Sequence, residues 1–299
     1  MGFTSQDDLI NQITVNGKIG RIDYMKTTTI AGVAGTWTDL GVMSGYPLAD
    51  PYTGATLTFA ATDDTYSGGA VYHGGNVSTA TKHFLNVAAS CFAAAGAPWI
   101  LMCVDQVGYI PILTTDVTGT GSRTVTMTAL TGASRWANGV GLRAYISSRV
   151  APSTGGPNLT AFTYTDQDGN TAQTMSTAIG CAAAPVAGQI IHSGNAASRT
   201  GPFLPLVTGD YGIRDIEAFT LSGGTAYTGA GTLIMHLVRP LWQIPIPVSG
   251  IMAERDLVNQ LPSMPKIPDG ACLRFLLFQT GATTISSPVN VMADYGWGG

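Results

Sequence analysis

Pro202-Phe203-Leu204-Pro205-Leu206-Val207-Thr208-Gly209-Asp210-Tyr211-Gly212-Ile213-Arg214-Asp215-Ile216-Glu217-Ala218-Phe219-Thr220-Leu221, a Gly/Thr-rich turn, and then Thr232-Leu233-Ile234-Met235-His236-Leu237-Val238-Arg239-Pro240-Leu241-Trp242 is the stretch that decides the fold. Its two apolar runs are short, and turn residues bound them. That is the pattern of strands, and the brief connection predicts a core hairpin. No catalytic motif lies in it. Phe203-Leu204-Pro205 and Arg239-Pro240-Leu241-Trp242 read as extended exits where a neighbouring subunit could dock.

The rest of the chain repeats this style. Asn16-Gly17 lies between Ile10–Val15 and Ile19–Tyr24, and two residues that tolerate positive φ predict a hairpin turn. Strands are expected at 27–30, 36–40, 56–60, 99–104, 109–113, 123–129, 139–147, 188–192, 271–278 and 289–297, with 243–248 extended. Asp166-Gln167-Asp168-Gly169-Asn170 reads as the turn of a further hairpin. One clear helix is expected, at about 78–95. Phe84, Ala88, Cys91 and Phe92 fall on one helical face, Ser78 or Thr79 could cap it, Gly96 suits a left-handed cap, and Pro98 ends it. A second, short helix is expected over 253–260. The fold class is therefore mainly β, with β-sandwich or jelly-roll domains. Ala151-Pro152-Ser153-Thr154-Gly155-Gly156-Pro157 reads as a linker. It divides an N-terminal β-rich domain (1–150) from a C-terminal sandwich-like one (151–299).

Composition narrows the function classes. The chain has 299 residues, of which 11% are charged against about 25% in ordinary domains. Hydrophobic residues stand at 45%, so Gly and Thr take the place of charge. Such a surface suits a protein whose faces are covered by neighbours. The net charge is −4, and the basic residues are scattered, so no nucleic-acid groove is expected. No apolar run reaches the length of a membrane span. The polar, acidic start lacks the features of a secretory signal, so folding in the cytoplasm is expected. Cys91, Cys103, Cys181 and Cys272 stand far apart in apolar surroundings and read as buried reduced thiols.

Site chemistry is sparse. Asp166-x-Asp168-Gly169-Asn170 resembles part of a calcium loop but lacks the distal Glu. His73 and His83, even with Asp63 and Asp64 upstream, do not have zinc spacing. His236 reads as a satisfied core or interface histidine. The nucleophile elbow, phosphate loop and dinucleotide fingerprint are all absent. No catalytic, cofactor or metal residues are assigned, and no enzyme is expected.

Several local phrases remain. They are Tyr72-His73-Gly74-Gly75-Asn76-Val77-Ser78, Gly201-Pro202-Phe203-Leu204-Pro205-Leu206 with Gly209-Asp210-x-Gly212-Ile213-Arg214, Leu237-Val238-Arg239-Pro240-Leu241, Asp269-Gly270-Ala271 and Tyr295-Gly296-Trp297-Gly298. Together with the style of the chain, they resemble a virion structural protein of a tailed bacteriophage. The resemblance implies a capsid decoration (cement) or minor head protein that is oligomeric and located in the virion. Its partners would be the major capsid lattice or other virion proteins. It implies neither membrane nor direct nucleic-acid contact and transfers no catalytic residues. Trp37, Trp136, Phe203, Leu204, Trp242 and Trp297 are the candidate interface residues, since aromatic side chains dominate hot spots. The competing readings are a tail-associated adhesion module that binds a host glycan and a β-sandwich hydrolase.

Overall fold

The computed structural model describes residues 2–66, 68–92, 97–114, 121–127, 130, 135–175, 177–193, 201–259, 264–281 and 283–298. One α-helix, α1 (Gln6–Thr14), precedes the strands. These are β1 (Ile19–Gly32), β2 (Thr36–Asp39), β3 (Gly45–Tyr46), β4 (Ala60–Ala61), β5 (Thr81–Cys91), β6 (Trp99–Leu113), β7 (Gly121–Thr124), β8 (Arg143–Val150), β9 (Thr154–Asp166), β10 (Gln173–Thr174), β11 (Ile179–Gly180), β12 (Ile213–Thr228), β13 (Thr232–Ile246), β14 (Ala253–Asp256), β15 (Lys266–Ile267), β16 (Leu273–Gln279) and β17 (Thr283–Gly298). The mainly β class is as the sequence indicates, and the packed antiparallel sheets are of the β-sandwich type.

Three sheets form. The first runs β14-β5-β17-β1-β3, with β15 also on β5; the second runs β2-β16-β6-β13-β8, with β4 on β6; the third runs β10-β9-β12-β7, with β11 on β9. The second sheet is the organising layer because β6 and β13 are long enough to serve two cores. At one end Trp99, Leu101 and Cys103 pair with Ile246, Ile244 and Trp242. These residues pack with Phe84, Val87, Ala89, Val291 and Tyr295 of the first sheet. At the other end Ile110 and Ile112 pair with Met235 and Leu233 and pack with Phe162, Ile216 and Phe219 of the third sheet.

Simple alternation would put these two sets on opposite faces. The register slips once at Val107 in β6 and once at Leu241 in β13, and each extra residue restores the phase. One face of the second sheet therefore covers both cores. Each fully buried Trp, Phe or Leu side chain here contributes about 1.5–3 kcal/mol. The opposite face carries Met102, Val104, Tyr145, Val238 and Leu276, with Tyr109 and Ile234 beside Tyr52.

Several expectations change. The helix at 78–95 is strand β5 from Thr81 to Cys91, and 93–96, including the expected cap Gly96, lies outside the described residues. The cause is another bulge. The pairing with β17 slips between Phe84 and Asn86, so the inward side chains are Phe84, then Val87, Ala89 and Cys91. A three-residue step followed by two-residue steps imitates helical spacing. The true helix lies where a hairpin limb is expected. Ser5 Oγ accepts from Asp8 N at 3.0 Å, an N-cap, and Leu9 is buried. Gly17 does have positive φ, 63°, but it ends the helix, with Lys18 N donating to Gln12 O at 2.9 Å. Residues 253–256 are strand β14, not helix.

The opening stretch is two strands, but they do not form a hairpin. β12 pairs with β9 and β7, and β13 with β6 and β8. Residues 229–231 are a corner between sheets. Thr114 anchors it, donating its N to Gly231 O (3.0 Å) and its Oγ1 to Gly229 O (2.7 Å). The expected 1–150/151–299 division cuts all three sheets, since β17 lies between β5 and β1, β16 beside β2, and β12 beside β7. Most of the supposed linker is the start of β9. The Asp166–Asn170 hairpin is present, with Tyr164 opposite Gln173.

Candidate functional site

The densest polar chemistry lies on the second face of the central sheet, sealed under the loop between β3 and β4. Arg274 of β16 is fully buried. It pairs with Asp50 and donates to the Gly68 carbonyl and, at 2.5 Å, to the Tyr52 hydroxyl. Burial lowers its pKa to about 10, which leaves it charged at neutral pH. Asp50 also accepts from Tyr66 Oη and Tyr52 N, each at 2.7 Å. Tyr52 Oη donates onward to Asp39 Oδ2 at 2.8 Å.

Asp39 leads to His236, whose Nε2 lies 3.4 Å from Asp39 Oδ2 and 2.8 Å from Ser147 Oγ. These are the residue types of a hydrolase triad. The geometry is not that of one, because serine and carboxylate share a single ring nitrogen instead of taking opposite ones. All three residues are 0% exposed, so no substrate reaches the hydroxyl. Burial pushes the His236 pKa down to about 4 against the opposing pull of Asp39. The ring is a neutral strut, as expected of a satisfied core histidine.

Several other ionisable residues are similarly engaged. Asp105 holds Arg135 through two contacts of 2.7 and 2.5 Å, and it accepts Trp136 Nε1 and Cys272 N. Lys82 Nζ donates to His73 Nδ1 at 2.7 Å, which leaves His73 Nε2–H for the Ala271 carbonyl at 3.0 Å. His83 binds the Met264 carbonyl instead. The Asp166 carboxylate is filled from within its turn by Asp168 N, Asn170 N and Asn170 Nδ2. Asp210 accepts Tyr164 Oη at 2.6 Å, and Glu217 accepts Thr165 Oγ1 and Ala172 N. Among the described residues no three His, Cys, Asp or Glu gather as a metal site. The four cysteines are buried, and among the described residues none forms a disulfide.

The candidate interface residues lie mostly inside. Leu204 is fully buried, and Trp37 and Trp242 nearly so. Trp37 packs on Phe278 and Trp242 on Phe84. Trp136 is clamped between Asp105 and the Arg239 guanidinium, 5.0 Å above its ring. Phe203 is half-buried under Arg143, and Trp297 stacks on Tyr295. The six are spread over separate clusters and form no common face. Among the described residues the most exposed aromatic side chains are instead Tyr46 and Tyr72, 65% and 67% exposed. They flank a cleft of about 280 Å³ that is also lined by Pro47, Asp64, Tyr66 and Ala271. No sequence signal singles out these tyrosines, although Tyr72 opens one of the virion-like phrases.

Comparison of the chain with protein-family models, curated proteins and solved structures finds no match.

Proposed function

We propose that the chain is a structural virion protein of a tailed bacteriophage, a capsid decoration or minor head protein that stabilises a shell by interface burial. One observation carries the reading. Phe92, Val248, Ile251 and Met252 are 46%, 49%, 62% and 45% exposed, and they meet at one end of the first sheet. Gly250 N donates to Cys91 O at 3.0 Å, and Ala253 pairs with Ala89, which fixes the turn beside Phe92. Contiguous apolar surface of this kind marks contact sites. The low charge of the chain supports the same reading, because few ions need desolvation when a standard interface of about 1,600 Å² closes. The partners are then the major capsid lattice and further copies of the chain, with no catalysis.

The test is binding to assembled shells, read as copies per particle by quantitative mass spectrometry. Wild type is expected to saturate shells and to ignore free coat subunits. Ile251→Glu should change stability by no more than about 0.5 kcal/mol, as for a surface site, while reducing occupancy at least about tenfold, as for a hot spot. Binding to host cells but not to shells would overturn the reading. So would occupancy indifferent to both Ile251→Glu and Met252→Glu.

A further inference from the structure

We infer that the cleft between Tyr46 and Tyr72 is a binding subsite for a neutral saccharide unit. Three features of the cleft carry this. Its walls are tyrosine rings with different roles. Tyr66 is fixed, since its hydroxyl reaches Asp50 at 2.7 Å and Tyr109 Oη at 3.3 Å. Tyr46 and Tyr72 project into solvent, and among the described residues neither hydroxyl is hydrogen-bonded. A ring with an apolar face and a free hydroxyl suits a sugar, which has a C–H face and a hydroxyl rim.

The second feature is size. About 280 Å³ is at the small end of ligand pockets and matches one pyranose ring, not an extended chain.

The third is charge, which separates a sugar from the other guests an aromatic cleft can take. Among the described residues Asp64 is the one carboxylate in the lining, and a carboxylate accepts two adjacent hydroxyls. A cation could use the same rings and the same carboxylate. Beneath the lining, however, lie two buried amines. Lys26 Nζ donates to the carbonyls of Pro47 and Met43. Lys82 supports His73, which binds the Ala271 carbonyl, and it is electrostatically coupled to Asp64. Positive charge under the floor opposes a cationic guest, and Asp64 at the wall opposes an anionic one. A neutral polyol meets neither penalty.

This inference is independent of the assembly reading, since a shell protein and a tail protein can equally carry such a subsite. Ligand-observed saturation-transfer NMR on the full chain tests it. The probes are glucose, galactose, mannose and N-acetylglucosamine, with arginine methyl ester and tetramethylammonium as cations. At least one sugar should show transfer, with a Kd on the order of 1 mM for a single subsite. Tyr72→Ala and Asp64→Asn should each weaken that binding about tenfold, the loss of one stacked ring or one charged acceptor. Both sites are at the surface, so thermal unfolding of the variants should match wild type. No transfer from any of the four sugars overturns the inference. Tighter binding of either cation does so too, as does sugar binding that survives both substitutions.

Discussion

Acidification should destabilise this protein before its carboxylates protonate, and the buried histidines are the reason. The chain has four, and burial lowers the pKa of every one. His192 and His236 are 0% exposed, with pKa values lowered to about 3 and about 4 from 6.5. His192 accepts from Ile146 N at 3.4 Å, and its other ring nitrogen is buried without a partner among the described residues. His236 is enclosed by Asp39, Ser147 and Gln106, with Tyr145 stacked at 4.3 Å and Tyr52 edge-on at 5.2 Å. Well above pH 6.5 both states hold these rings neutral, and they add no pH dependence to stability. As pH falls, the unfolded chain takes up a proton on each ring while the folded chain does not, so stability drops until the folded values are reached. At pH 5 this amounts to about 2 kcal/mol per ring, or about 4 kcal/mol for the two. Domains are stable by only about 5–15 kcal/mol in total. Urea unfolding at pH 7.5 and pH 5.0 measures the difference. His192→Gln/His236→Gln, which keeps polar groups of similar size at both sites, should be less stable than wild type at pH 7.5 yet lose about 4 kcal/mol less on acidification. If the double variant and wild type lose the same stability between the two pH values, the buried histidines are not the cause.

Two other perturbations probe the sealed network and the edge of the cleft. Arg274→Met should cost about 3–5 kcal/mol by leaving Asp50 an uncompensated buried charge. Arg274→Met/Asp50→Asn should cost less than the sum of the single changes, a coupling measured by a double-mutant cycle in urea. Gly45 has φ 136°, and a Cβ there would sit 2.3 Å from the Met25 carbonyl. Gly45→Ala should therefore lower stability by about 1–3 kcal/mol, read as a fall in Tm.

The candidate site was less legible in the sequence than the fold. Tryptophan is the usual anchor, but the Trp residues sit where a sheet protein needs bulk. Trp99 and Trp242 fill the core between the first two sheets, and Trp136 closes over Asp105. The exposed rings of the cleft are tyrosines beside loops, and nothing in one sequence separates a loop tyrosine that faces solvent from one that folds inward. Tyr52 shows the difficulty. It lies six residues from Tyr46 in the same loop, yet it is 3% exposed because Asp39 and Arg274 claim its hydroxyl. Those partners lie 13 and 222 residues away. The Ser147–His236–Asp39 cluster is similarly scattered and matches no local motif. Its exclusion as a hydrolase comes from three-dimensional geometry alone.

The β class was legible because it depends on local composition, whereas the pairing was not, because it depends on bulges. Period-two alternation identifies a strand only while its phase is kept. β5, β6 and β13 each lose it once, at Leu85, Val107 and Leu241. In β5 the slip turns an alternating strand into the spacing of a helix. In β6 it breaks one continuous strand into two apparent ones, at 99–104 and 109–113. In β13 it lets Leu233, Met235 and Leu237 share a face with Trp242, Ile244 and Ile246. The bulges in β6 and β13 bracket the three pairs Val238–Gln106, Arg239–Asp105 and Pro240–Val104, where one core ends and the other begins. Their effect is to keep a single sheet face turned toward both neighbouring sheets along 15-residue strands. Without them the second half of each strand would turn its apolar side to the face that carries the Asp39–Asp50–Arg274 network and away from its core.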